Sequence, residues 1–120
     1  MKKIHISNDE FISKATNLAN KHIKLLDTKQ YDIFFNLMPS EISNKITSEA
    51  KAQLAEYREG LNINSSKREF WYRFIGTIDT ADSGKINLIE VHYLINDNGQ
   101  REYLVYQLLK GKTTLVGYNM

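Results

Sequence analysis

Glu90 and His92, two residues apart, are the pair in this chain best spaced to move a proton. In a β-strand, residues i and i+2 share a face, so the imidazole and the carboxylate can meet. A histidine beside a carboxylate is an acid–base unit, and burial tunes it by raising a carboxyl pKa. Asp27 and Asp32 are the other carboxylates that His92 can be matched with. Leu88 and Leu94 flank the pair on the same face, as in a cavity wall or an exposed strand. Asp27 and Tyr31 form a second set, in which Asp27 fits a cap for the helix that follows and Tyr31 packs beneath it. His5, His22 and His92 lie too far apart for a helical two-histidine ligand motif, so no metal site is expected. The plainer role of each histidine is a partly buried, hydrogen-bonded side chain.

Other chemistries lack their residues. There is no cysteine, which excludes disulfide scaffolds, thiolate nucleophiles and zinc–thiolate sites. No Gly-x-Ser-x-Gly elbow occurs, and the six glycines fall singly, without a phosphate-binding loop. No cofactor is expected.

Two different periodicities must position these residues. Ser7 to Glu10 fits a capping box, and Phe11, Ile12, Ala15, Leu18, Ala19, His22, Ile23, Leu25 and Leu26 then repeat at helical spacing. Tyr31, Phe34, Phe35 and Met38 begin a second short helix that Pro39 ends, and Ile42 and Ile46 suggest one more turn. Thr47 or Ser48 caps a third helix with Ala50, Leu54, Tyr57 and Leu61 on one face and Gly60 as a left-handed C-terminal cap. After a polar linker the period changes to two. Phe70 to Ile78, Ile86 to Ile95, Arg101 to Leu109 and Thr113 to Asn119 read as strands, with Gly76 a candidate bulge. Asn96 to Gly99 is the strongest hairpin turn, since Asn-Gly accepts positive φ cheaply. Helices followed by strands predict an α+β domain with the helices on one face of a curved four-stranded antiparallel meander. The boundaries are a tail over 1–7 and one domain over 8–120, helical to 61 and strand-rich over 67–119.

At 120 residues and 13.9 kDa the chain suits one domain with one core. Its 42% hydrophobic content is globular, and no run approaches the ~18 apolar residues of a membrane span. A net charge of +2 with well-mixed signs offers no basic stripe, so nucleic acid is not an expected partner. Lys14, Lys21 and Lys24 fall on the polar side of the first helix, with Lys29 just beyond it, as a solvated face does. The first residues lack the apolar stretch of a signal peptide. Location is therefore open: periplasm or cell envelope if an export signal has been removed, otherwise cytoplasm.

Leu26-Asp27, Tyr31, Phe34 to Leu37, Arg58 with Gly60, Lys67-Arg68 and Val116-Gly117-Tyr118 form an ordered set over about residues 11–118. In that order they resemble the nuclear transport factor 2-like (cystatin-like) superfamily, and within it an uncharacterised family of small exported bacterial proteins. The tryptophans of that family pattern, in the third helix and before the last Gly-Tyr, are absent here, where Ala50, Leu54 and Leu115 stand. The resemblance implies a cone between helices and sheet, with His22, Tyr31, Phe34 and Tyr106 as cavity or ligand residues. It also implies dimers formed by sheets pairing face to face, for which Trp71, Arg73 and Ile75 are the expected interface. The leading expectation is a non-enzymatic domain that binds a protein partner or a small apolar ligand, as a homodimer. The alternatives are an isomerase, cyclase or dehydratase using His92 and an acid (Glu90 or Asp27) in the cone, and an accessory subunit of a cell-envelope or secretion assembly.

Overall fold

Helical periodicity gives way to strand periodicity at residue 68. A computed structural model describes residues 8–61, 63, 68–80, 84–95, 100–109 and 111–120, with backbone alone at 8, 68–72, 74–75, 78–80 and 84–85. The helices are α1 (Asn8–Asp27), α2 (Tyr31–Asn36), α3 (Ser40–Ser43) and α4 (Ser48–Gly60). The strands β1 (Arg68–Thr80), β2 (Gly84–Ile95), β3 (Gln100–Leu109) and β4 (Lys112–Asn119) form one antiparallel sheet in the order β1-β2-β3-β4. The expected α+β meander is thus observed. The capping box at Ser7 and the Asn96–Gly99 turn lie outside the described residues.

Helix α1 forms because its apolar residues recur every three or four positions, and it buries Phe11, Ala15, Ala19, Ile23 and Leu26. Its lysines are exposed, as their polar positions predict. Asp9 and Glu10 in its first turn and Lys24 in its last complement the helix dipole. It ends in a Schellman turn: the Gln30 amide donates to Leu25 O at 2.8 Å and the Lys29 amide to Leu26 O at 3.1 Å. That turn holds Lys29 at φ 64°, a conformation costing a side-chain-bearing residue about 1 kcal/mol or more. Lys29 also pairs with Glu59 at 3.4 Å, but both side chains are exposed and the pair contributes little. Lys29→Gly is therefore expected to raise stability by up to about 1 kcal/mol in urea unfolding; a loss of stability would contradict this account of the turn.

Pro39 precedes α3 with φ −54° and ψ 148°, so the turn suggested by Ile42 and Ile46 exists as a short helix. Thr47 caps α4, its hydroxyl accepting from the Ala50 amide at 3.0 Å. The face of α4 differs from the sequence expectation. Tyr57 and Leu61 are 48% and 39% exposed, Ala50 is exposed, and Arg58 is the fully buried residue. Gly60 is not a left-handed cap either; the helix runs through it, and Leu61 follows at φ −97°.

In the sheet, Ile89, Val91, Tyr93 and Ile95 of β2 alternate inward, as do Glu102, Leu104 and Tyr106 of β3. Ile89, Val91, Tyr93, Leu104 and Tyr106 meet α1 and the buried Phe34, Phe35 and Met38 in one core. Gly76 is no bulge, since it stays in register opposite Leu88; the register shifts instead between Phe70 and Tyr72, leaving Trp71 outside the pairing. A second shift, between Val105 and Tyr106, leaves Val116 of β4 outside its pairing.

Candidate functional site

The interface between helices and sheet is a row of polar contacts set in the core. Each of the strands β2, β3 and β4 contributes one inward tyrosine to it. The Tyr93 hydroxyl of β2 donates to Asn20 Oδ1 of α1 at 2.8 Å. The Tyr106 hydroxyl of β3 lies 2.7 Å from His22 Nδ1, with the two rings stacked at 5.7 Å. The Tyr118 hydroxyl of β4 donates to Glu102 Oε2 at 2.6 Å and accepts from Arg58 Nη1 at 2.6 Å. Buried hydroxyls demand partners, and these partners fix how α1 and α4 register on the sheet.

The last of these contacts belongs to a charge network. Arg58 Nη1 donates to Glu102 Oε2 at 2.6 Å, and Arg58 Nη2 to Asp27 Oδ1 at 2.7 Å. Arg58 and Glu102 side chains are wholly buried, while Asp27 keeps 22% exposure. Burial alone would lower the Arg58 pKa, but Tyr118, Glu102 and Asp27 around it hold it above its ordinary value. Burial, then the Glu102 charge, drives the Tyr118 hydroxyl far up, so it stays neutral and can donate. One guanidinium thus ties the end of α1, the last turn of α4, β3 and β4 together. Asp27 is therefore neither the cap of α2, whose N-cap is Gln30 without a side-chain bond, nor a partner of His92. Asp32 goes elsewhere too, to Lys51 at 3.3 Å on the surface.

Three of the four expected cavity residues do come together. His22 meets Tyr106 and stands edge-on to Phe34 at 6.4 Å. Phe34 in turn packs edge-on against Phe35 and Tyr118. Phe34 and Tyr106 have no exposed surface, so these rings fill the space where a cone lumen was expected. Tyr31 lies apart, half-buried against the edge of the core.

His22 is half-buried, and burial, then the nearby Lys21 charge, lowers its pKa. A base whose pKa is lower folded than unfolded binds protons more readily in the unfolded chain. Its contribution to stability is complete above the ordinary value of 6.5 and is lost as pH falls through 6.5 toward the folded value. Chemical denaturation between pH 7.5 and 5 is expected to show a fall in stability that His22→Gln flattens. An unchanged slope in that variant would contradict the reading.

His92 and Glu90 are brought together as their spacing implies, with His92 Nε2 donating to Glu90 Oε1 at 2.8 Å. The His92 ring stacks on Tyr103 of β3 at 4.5 Å and is only 6% exposed. Yet Val91 and Tyr93, on either side, point into the core, so the pair lies on the sheet face turned away from the helices. Leu88 and Leu94 continue that face along β2, and Tyr103, Val105 and Leu109 continue it on β3. All five are half-buried. Glu90 thus engages His92, and Glu102 engages Arg58.

Of the expected interface residues, Trp71 and Ile75 have side chains outside the described residues. Arg73 is exposed, and its register opposite Val91 puts it on the helix-facing side of the sheet, not the outer one. Among the described residues no three potential metal ligands cluster, and no helix is long and apolar enough to cross a membrane. Comparisons with protein-family models, curated proteins and solved structures found no match to this chain.

Proposed function

We propose that this chain is an interaction domain that pairs with a second copy of itself through the outer face of its sheet. The observation that carries the reading is the composition of that face. Leu88, Leu94, Tyr103, Val105 and Leu109 share the side opposite the helix-packed core with the Glu90–His92 pair, and Arg101 and Gln107 of β3 stand on the same face. Aromatic and aliphatic side chains with a few satisfied polar groups suit the centre of a protein interface. The resemblance to the nuclear transport factor 2-like superfamily, whose sheets often pair face to face, supports a second copy as the partner. Of the expected interface residues, Arg73 leaves the set by its register, Trp71 and Ile75 have side chains outside the described residues, and Tyr103 and Val105 stand at the proposed centre.

A cone-cavity enzyme is the weaker reading. It needs His92 and an acid facing an open interior, whereas Phe34 and Tyr106 fill the interior and His92 faces away. Sedimentation equilibrium tests the dimer. At about 50 µM the full chain is expected at roughly twice 13.9 kDa, and Val105→Glu is expected to be monomeric with unchanged circular dichroism. A wild-type monomer, or a dimer undisturbed by Val105→Glu, would overturn the reading.

A further inference from the structure

We propose that acid strengthens the self-association: each copy takes up one proton, at its Glu90–His92 pair, when the outer face of its sheet is covered. The inference rests on the pairing proposed above and concerns how that same face is regulated. The pair stands beside the proposed centre, His92 opposite Tyr103 and Glu90 opposite Val105. His92 Nε2 donates to Glu90 Oε1 at 2.8 Å, and the imidazole lies against the Tyr103 ring at 4.5 Å. In the single chain the His92 side chain is only 8% exposed, while that of Glu90 keeps 34%. Covering the face therefore takes water chiefly from the carboxylate.

Histidine is the side chain whose charge ordinarily changes between pH 5 and 8. With a neutral imidazole the pair carries one negative charge, and a buried carboxylate without a balancing cation is costly. With an imidazolium the pair is neutral overall and its hydrogen bond is charge-assisted. A two-fold interface adds to the difference, because it sets the same patch of both copies together and so brings two like charges near each other. The paired state then binds protons more readily than the single chain. By linkage, association strengthens as pH falls, by at most about a hundredfold per pH unit for two protons.

The remaining charged and titratable groups of the face are arginine, lysine and tyrosine, types that ordinarily keep one charge state over this range. On β3, Arg101 stands opposite Leu94 and is exposed. On β4, Asn119 donates to the Tyr103 hydroxyl at 3.3 Å, and Lys112 is exposed at the far end, opposite Leu109. On β1, Tyr72 and Phe74 stand opposite His92 and Glu90 in register, with side chains outside the described residues.

The test is sedimentation equilibrium of the full chain at pH 7.5 and 6.0, with circular dichroism to check folding. The dimer Kd is expected to fall about tenfold or more at pH 6.0. Glu90→Gln keeps the shape of a partly exposed side chain, so this variant should fold. It is expected to pair at pH 7.5 as tightly as the wild type does at pH 6.0, and to gain nothing in acid. His92→Gln is expected to keep the weaker affinity at both pH values. A wild-type Kd that is unchanged or larger at pH 6.0, or the full gain retained in either variant, would overturn this inference and leave the pairing standing. A chain that is monomeric at both pH values would overturn both.

Discussion

Arg58→Ala is expected to destabilise the protein by about 3–5 kcal/mol. The change does more than delete hydrogen bonds. It takes the Arg58 guanidinium from the wholly buried carboxylate of Glu102, while Asp27 is exposed enough to recover water. Total stabilities of small domains run about 5–15 kcal/mol, so a large share of the fold's margin depends on this one guanidinium. The complementary experiment removes the charges together. Arg58→Met with Glu102→Leu is expected to recover most of the loss, because an apolar pair escapes the desolvation that an unbalanced ion suffers. Urea unfolding of the two single variants and the double variant gives the coupling between the sites. A loss below about 1 kcal/mol for Arg58→Ala, or additive losses in the pair, would contradict a buried ion pair here.

Phe34→Ala comes next, with an expected cost of about 3–5 kcal/mol. Phe34 has no exposed surface and touches the rings of His22, Phe35 and Tyr118, so truncation leaves a hole that rigid neighbours cannot close. The same measurement separates a filled interior from an open cone. Had Phe34 lined a solvent-filled lumen, its removal would forfeit little packing and cost about 1 kcal/mol or less. Thermal unfolding would report the difference as a Tm drop of roughly 10 °C or more against a few degrees.

Local order in this chain was legible because it is written in local patterns. The three-and-four spacing of Phe11 to Leu26 and the alternation of Ile89, Val91, Tyr93 and Ile95 each name their buried face without reference to the rest of the chain. The Thr47 cap and the Glu90–His92 pair were legible for the same reason, since the partners are three and two residues apart. Which face of the sheet that pair occupies was not legible, because alternation separates two faces without saying which one the helices cover.

The charge network escaped because its members are far apart: Asp27, Arg58, Glu102 and Tyr118 come from four elements. Two signals did point to it. Arg58 stands four residues after Leu54, on the stripe that faces the core, in place of the Tyr57 expected there. Glu102 stands in the inward row of Leu104 and Tyr106, where a carboxylate needs a buried cation. Two opposite charges, each on an apolar face of its own element, imply that those faces meet. The misread glycines have a simpler cause. Gly60 and Gly76 do not take a positive φ. Lys29 takes the left-handed position that glycine usually fills, because the turn after α1 demands it whatever the residue.

Isotope-filtered NMR on a mixture of labelled and unlabelled chains tests the proposed self-association most directly. Intermolecular contacts are expected at Leu88, Leu94, Tyr103, Val105 and Leu109, the side chains of the outer sheet face. Intermolecular contacts confined to the exposed Ile33 of α2 and Leu37 just after it, or none at a concentration where the chain sediments as a monomer, would contradict it.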